Sequence, residues 1–248
     1  MQRLLSTYSP ISLDEMQGIK LMNRIDTKFV TTTGVLRQLL LMANGAYRVQ
    51  EIGGERNMRY NTTYLDTPDY QMFYAHQWGH ANRQKVRFRT YVSSDIQFLE
   101  VKTKNNHGRT KKTRMEVGDM NLCDDLKRDF LGRHLCYDAS GLLPVSENHF
   151  HRITLVNQAM TERLTIDTGL CFRNLLTGCE RELVNLVVIE LKRDGLCYSP
   201  VLEMLRRLRV QPHGFSKYCI GSALTNYDLR INRFKPRLME VHRINGCA

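Results

Sequence analysis

The chain has 248 residues, enough for one large domain or two small ones, and its 42% hydrophobic content excludes wholesale disorder. Its apolar runs are short, as at residues 186–189, far below the roughly 20 residues of a membrane-spanning helix, and residues 1–10 lack the apolar stretch of a signal peptide. The net charge of +11 calls for a polyanionic partner, whether nucleic acid, an anionic membrane surface or a phosphorylated small molecule, and the choice turns on where the cations sit.

Ser12, followed by Glu15, has the spacing of a capping box and predicts a short helix. A strand is expected over residues 23–30 and a helix over 35–43, ended by Asn44-Gly45. The β-rich run 60–65 stops at Asp66-Thr67-Pro68-Asp69. Residues 70–78 read as a helix whose aromatic stripe is assigned to packing. Strands are expected over 85–91, 97–104 and 110–117, then a helix over 124–132. Strands resume over 151–156, 162–167 and 186–192. Ser199-Pro200 opens a helix through about Arg207, with Val201, Leu202, Leu205 and Leu208 as its apolar face. A last helix is expected over 215–225, and the basic tail from Arg230 is expected to be loosely held. This gives one domain over 1–230 and a C-terminal tail over 231–248. The class is α+β, mainly antiparallel sheet or barrel with peripheral helices.

The seven cysteines, Cys123, Cys136, Cys171, Cys179, Cys197, Cys219 and Cys247, contain no C-x-x-C spacing and are odd in number. Reduced thiols in a cytoplasmic protein are expected rather than disulfides or a zinc site. His76, His80, His107 and His134 have no spaced partners that would make a catalytic triad.

Side chains alternate faces along a strand. By that parity Arg24, Asp26 and Lys28 share a face, as do Lys85, Arg87 and Arg89. The same holds for Glu100, Lys102 and Lys104, for Lys112, Arg114 and Glu116, for Arg163, Thr165 and Asp167, and for Glu190 and Lys192. Their alternates are mostly apolar. A solvated sheet face would also be polar, but it mixes signs, whereas every one of these strands contributes Lys or Arg. Turned inward, this face would line a cationic lumen, with helices covering the apolar outside. Glu100 and Glu190 each precede a lysine by two residues. Such a carboxylate suits a divalent metal or a cross-strand ion pair, and parity leaves both open.

An ordered set of motifs resembles the VTC-type polyphosphate polymerase family within the triphosphate tunnel (CYTH-like) superfamily. The set comprises RIDTK at 24–28, YLDTPD at 64–69, NRQKVRFRTY at 82–91, FLEVKTK at 98–104 and GRTKKTR at 108–114. It continues with ERLTID at 162–167, VIELK at 188–192 and FSKY at 215–218. The resemblance implies a closed eight-stranded β-tunnel that binds ATP and polyphosphate, with Mn²⁺ or Mg²⁺ as cofactor. It implies catalytic roles for Lys28, Arg87, Arg89, Lys102, Lys112 and Glu190. It implies phosphate contacts for Arg24, Lys104, Arg114, Arg152, Arg163, Lys192 and Lys217, and metal binding at Glu190 and Glu100. The run NHFHR at 148–152 departs from the Tyr-x-Arg pattern expected around Arg152. Hydrolases of the superfamily carry E-x-E-x-K in the first strand. Here Arg24 and Asp26 stand at those positions, which favours polymerisation over triphosphate hydrolysis. A polyanion-binding module without catalysis is the third reading. Nucleic acid is not the expected ligand, because Phe88, Tyr91 and Tyr218 form no evident stacking platform.

Overall fold

In the computed structural model the alternation of charged and apolar residues becomes the two faces of one 11-stranded sheet. The structure describes residues 1–19, 24–106 and 110–246. The chain runs α1 (Gln2–Leu5), β1 (Pro10–Ile11), α2 (Leu13–Gln17), β2 (Arg24–Thr32), α3 (Thr33–Ala43) and β3 (Tyr47–Gln50). It continues with β4 (Met58–Asp66), α4 (Gln71–Gln77), β5 (Arg83–Tyr91), β6 (Ile96–Lys104), β7 (Thr110–Val117) and α5 (Asp125–His134). Then follow β8 (Leu143–Asn157), β9 (Glu162–Asn174), β10 (Glu180–Leu183), β11 (Leu186–Asp194), α6 (Pro200–Arg207), α7 (Lys217–Thr225) and α8 (Lys235–Asn245). Asn23, His107, Gly108, Arg109 and Cys247, which figured in the sequence expectations, lie outside the described residues.

Eight strands form a continuous path in the order β2-β11-β9-β8-β4-β5-β6-β7, each neighbour antiparallel, while β1, β3 and β10 branch from it. The path curls into a half-barrel. Lys28 of β2 and Lys85 of β5, far apart along the path, both reach the loop before α7, Lys28 Nζ donating to the Phe215 carbonyl and Lys85 Nζ to Ser216 Oγ. Among the described residues no ladder joins the end strands β2 and β7. No helix is long and apolar enough to cross a membrane.

The convex face is dry, and helices cover it as the parity argument requires. Phe29, Ile153, Leu155, Leu164, Ile166, Ile189 and Leu191 pack under Leu36, Leu39 and Leu40 of α3 and Val201 and Leu205 of α6. Val86, Phe88, Leu99 and Val101 pack with Leu131 of α5. A third cluster sits on the concave side. There Val30, Tyr60, Tyr64, Phe150 and Val188, which share parity with the cations, meet Phe73 of α4, Tyr218 and Ile220 of α7, and Val241 of α8. The concave face is therefore divided between an apolar part filled by helices and a charged lumen.

The capping box at Ser12 and Glu15 is present with both arms. The helices at Thr33–Ala43 and Pro200–Arg207 match expectation closely. Three readings need correction. Strands β8 and β9 run 15 and 13 residues, well past the expected 151–156 and 162–167. A register shift between His149 and His151 breaks the alternation that would have revealed the longer ladder. The helix expected over 215–225 starts at Lys217, with Ser216 as its cap, and is not the last. The segment expected to be a loose tail forms α8, whose Leu238, Val241 and Ile244 join the concave core.

Helix α7 approaches β9 closely because Gly221 has no side chain; a Cβ there would lie 2.4 Å from a ring carbon of Phe172. Gly221→Ala should lower stability by about 1–2 kcal/mol, because overpacking outweighs the gain in helix propensity. Urea unfolding checks this; an unchanged or raised midpoint would contradict so close a seat for α7.

Candidate functional site

Cross-strand register assembles the cations into rows. Lys85, Lys102 and Lys112 lie directly opposite one another on β5, β6 and β7. The next row reads Tyr64, Arg87, Glu100 and Arg114, and the next Asn148, Thr62, Arg89 and Phe98. On the other flank one row reads Lys28, Glu190 and Thr165, and the next Asp26, Lys192 and Arg163. Arg152 stands opposite Asp167.

The loop before α7 closes this set. Lys28 Nζ donates to the Phe215 carbonyl at 3.0 Å, and Lys85 Nζ donates to Ser216 Oγ at 2.7 Å. Lys217 then pairs with Asp167, which also accepts two bonds from the Arg152 guanidinium at 2.6 and 2.7 Å. A buried anchor sets where α7 lies. Asp66 accepts the amides of Thr67, Met72 and Phe73 at 2.8–2.9 Å and the hydroxyl of Tyr218. The aspartate of the YLDTPD motif is thus architectural: it fixes the start of α4 and binds α7 to it.

Three carboxylates stand among these cations. Burial alone would raise Glu100, but Arg87, Arg89 and Lys112 hold it down at about 2. Its oxygens receive Arg87 at 2.6 Å and Lys112 at 2.9 Å, and it is 1% exposed. Burial likewise opposes ionisation of Asp167, and Arg152 and Lys217 keep it well below the usual range. Glu190 is held low against burial by Lys192, Lys28, Arg152 and Lys102. Its nearest partners are Lys192 at 3.2 Å and Lys28 at 3.8 Å.

The remaining cations are not neutralised. Among the described residues Lys85, Arg89, Lys102 and Arg163 have no salt bridge. Desolvation and the charge on Lys28 push Lys102 down to about 8. Burial, opposed by Asp167 but reinforced by Arg152, brings Lys217 to about 8 as well. Arg89 is 7% exposed, sits 5.7 and 5.8 Å from the rings of Tyr60 and Phe150, and among the described residues donates hydrogen bonds only to Thr62 Oγ1, at 3.3–3.4 Å. In the same row, across Thr62, Asn148 is 1% exposed and both its amide atoms lack a partner among the described residues. Buried donors and unneutralised charge facing one lumen are the signature of a site made for an anion.

Tyr64, Lys85, Asp167 and Asn148 join this site, although none of them was singled out as a site residue from sequence. Lys85 and Asp167 were on the right face by parity. Tyr64 opens the YLDTPD motif, but it was not separated from the packing residues, because a Tyr or Asn in a strand, like Asn148, reads as packing. Burial would raise the Tyr64 phenol, yet Arg87, Arg89, Lys85 and Lys217 bring it to about 8. Other expected residues sit at the margins. Arg24 pairs with Asp26 at 2.8 Å and is 42% exposed. The Arg114 guanidinium lies 4.4 Å over Phe98, and Lys104 stands opposite Arg83 where β5 begins and β6 ends.

For a divalent metal the two expected glutamates differ. Glu100 has both oxygens engaged by cations and shows the ion-pair alternative. Glu190 keeps longer contacts and fits a single carboxylate ligand, the other positions being left to phosphate oxygens and water. Among the described residues, the only three metal-type ligands within 4.8 Å of one another are Cys171, Glu180 and Glu182. They lie on the β9–β10 hairpin. Cys123, Cys136, Cys171, Cys179, Cys197 and Cys219 are free thiols. His76 is kept neutral, at about 2, by burial and by Lys85 and Arg83, and it packs on Phe234.

A family model for the VTC domain matches residues 23–226. No curated protein matches the sequence. Among solved structures, a candidate adenylate cyclase from Bacillus halodurans is 15% identical, with a TM-score of 0.51 over 79% of this chain and 96% of that one. A candidate adenylyl cyclase from Hippeastrum, for which a dominant triphosphatase activity is described, is 12% identical. It has a TM-score of 0.46 over 82% of this chain and 96% of that one. At 15% identity the first likeness is one of fold.

Removing the Glu100 charge leaves Arg87 and Lys112 facing each other without it. Glu100→Gln should cost about 2–4 kcal/mol in urea unfolding, and tripolyphosphate should recover part of the loss by replacing the missing anion. An unchanged midpoint would show that this carboxylate does not hold the row together.

Proposed function

The chain belongs to the VTC-domain family, and we propose that its lumen transfers the γ-phosphate of ATP to a growing polyphosphate chain. The observation that carries this reading is that Lys28 of β2 and Lys85 of β5, from strands far apart along the sheet path, both donate to the loop before α7, with Lys102 directly opposite Lys85. One monoanion would not neutralise Lys85 and Lys102 together with Arg89 and Arg163, the cations of this face that have no salt bridge among the described residues. A chain of phosphates, with charge spread along its length, would.

Phosphoryl transfer requires alignment and charge stabilisation more than a protein nucleophile. In the proposed reaction the terminal phosphate oxygen of the polymer attacks Pγ of ATP. The bond from Pγ to the bridging oxygen breaks and ADP departs with that electron pair. Arg87 and Arg89 would hold phosphate oxygens through their planar forks, while Lys28, Lys102 and Lys112 act as point charges. Arg152, Arg163, Lys192 and Lys217 would hold the product chain. Mn²⁺ or Mg²⁺ bound at Glu190 would supply further neutralisation of phosphate oxygens. Lys28 and Lys192 now face that carboxylate and would turn to phosphate when the chain enters. Polymerisation is favoured over hydrolysis by β2, where Arg24 and Asp26 pair with each other at the positions hydrolases of the superfamily use for two glutamates. Use of ATP fits the expected cytoplasmic location.

Incubation with γ-labelled ATP and Mn²⁺, resolved on a gel, should give a polymer ladder, and Arg87→Ala should reduce it about 100-fold or more. Labelled orthophosphate without polymer would assign hydrolysis instead. Binding without either product would reduce the lumen to a polyanion-binding module.

A further inference from the structure

The α4 helix and the loop after it carry an aromatic group that starts at the core, where Tyr74 packs, and extends past it. Tyr70 and Phe73 are buried, as a packing stripe should be, but Trp78, the one tryptophan of the chain, is 63% exposed. Its indole stacks on Tyr74, one helical turn earlier, with centroids 5.4 Å apart and planes at 21°. His80 stands 5.6 Å from it on the other side of the turn, tilted by 44°. The stack is braced. Tyr74 packs edge-on against buried Phe73, and Arg83 Nη1 donates to the His80 carbonyl at 2.6 Å. The Arg233 guanidinium fills the space beside Gly79, whose φ of +75° makes the turn between Trp78 and His80.

The position of this group gives it meaning. Arg83 is the first residue of β5 and lies opposite Lys104, so the pair begins the same face that continues to Lys85 and Lys102. The charge of Lys85, Arg83 and Lys104 reaches His76 on α4 itself. An exposed, braced aromatic surface therefore borders the mouth at which the row of lumen cations starts.

We propose that Trp78, backed by Tyr74 and flanked by His80, is a stacking platform for the base of a nucleoside triphosphate whose phosphates enter the lumen past Arg83 and Lys104. This rests on the lumen being the phosphate site. The platform adds a discrimination the lumen cannot make, between a nucleotide and an inorganic phosphate chain of equal charge. Stacking on an aromatic face suits any base, so the platform selects nucleotides as a class. Because the stack is already in place, little ordering opposes binding.

A single tryptophan makes the test direct. ATP and inorganic tripolyphosphate are titrated separately against the full chain while Trp78 emission and, independently, heat are recorded. ATP should quench the emission and tripolyphosphate should leave it nearly unchanged. Trp78→Ala should weaken ATP roughly tenfold or more, with tripolyphosphate affinity within about twofold of wild type, which also reports that the variant is folded. Trp78→Phe should retain most of the ATP affinity. If ATP binds as tightly to Trp78→Ala as to wild type, or if both ligands weaken equally, the platform is wrong while the lumen reading stands. If neither ligand binds wild type, both fall together.

Discussion

The concentration of positive charge on the concave side of one curled sheet is the constraint on which the rest of this structure depends. Lys28 and Lys85 come from strands far apart along the sheet path, yet both hydrogen-bond to the two residues that precede α7. Their meeting requires the curl, and the curl requires something to hold α7 against the inside. Asp66 does this by binding the first amides of α4 and the hydroxyl of Tyr218 at once. Gly221 allows the helix to lie directly on Phe172. The helix that helps to fill the concave face thus also carries Lys217 to Asp167.

Such an arrangement opposes folding. Burial first, and then the neighbouring cations, bring Lys102 and Lys217 down to about 8 from the ordinary 10.5, so the folded chain holds their protons less firmly than the unfolded chain does. That penalty is fully present below pH 8 and is relieved as pH rises from about 8 toward the unfolded value. It is the reverse of an ordinary stabilising lysine pair. Glu100 and Asp167 offset part of the repulsion from fixed positions, each serving two cations. The part they leave is available to a ligand, whose binding relieves repulsion as well as forming contacts. A site organised in this way favours a ligand of high charge density over a monoanion.

Much of this was legible in the sequence because period-2 alternation is a strong signal on strands of nine residues. The run Lys85, Arg87, Arg89 lies on one face of β5, its partners Glu100 and Lys102 lie on the facing side of β6, and the apolar alternates are covered by helices as expected. Alternation could not say which face was concave; the ordered motifs supplied that. It also failed where the backbone breaks its own period. The register shift at His149 to His151 hid half of β8, and with it Asn148 in the lumen. Short strands such as β1, β3 and β10 have too few residues to show a period. The basic composition after Arg230 masked the spacing of Leu238, Val241 and Ile244, which brings three apolar residues of α8 to the core. The aromatic stripe of α4 was read as packing throughout, and only burial separates Phe73 from Trp78.

The claim that most needs direct measurement is that the lumen lysines are electrostatically strained until a phosphate chain arrives. Protein labelled with ¹³C and ¹⁵N at lysine, with Lys102→Arg and Lys217→Arg to assign the signals, allows each ammonium group to be titrated by NMR. The account predicts midpoints near 8 for Lys102 and Lys217 in the free protein. Saturating tripolyphosphate should raise both by at least about one pH unit, as a bound opposite charge does. Midpoints at the ordinary value of 10.5 in the free protein, or midpoints that tripolyphosphate leaves unmoved, would contradict it.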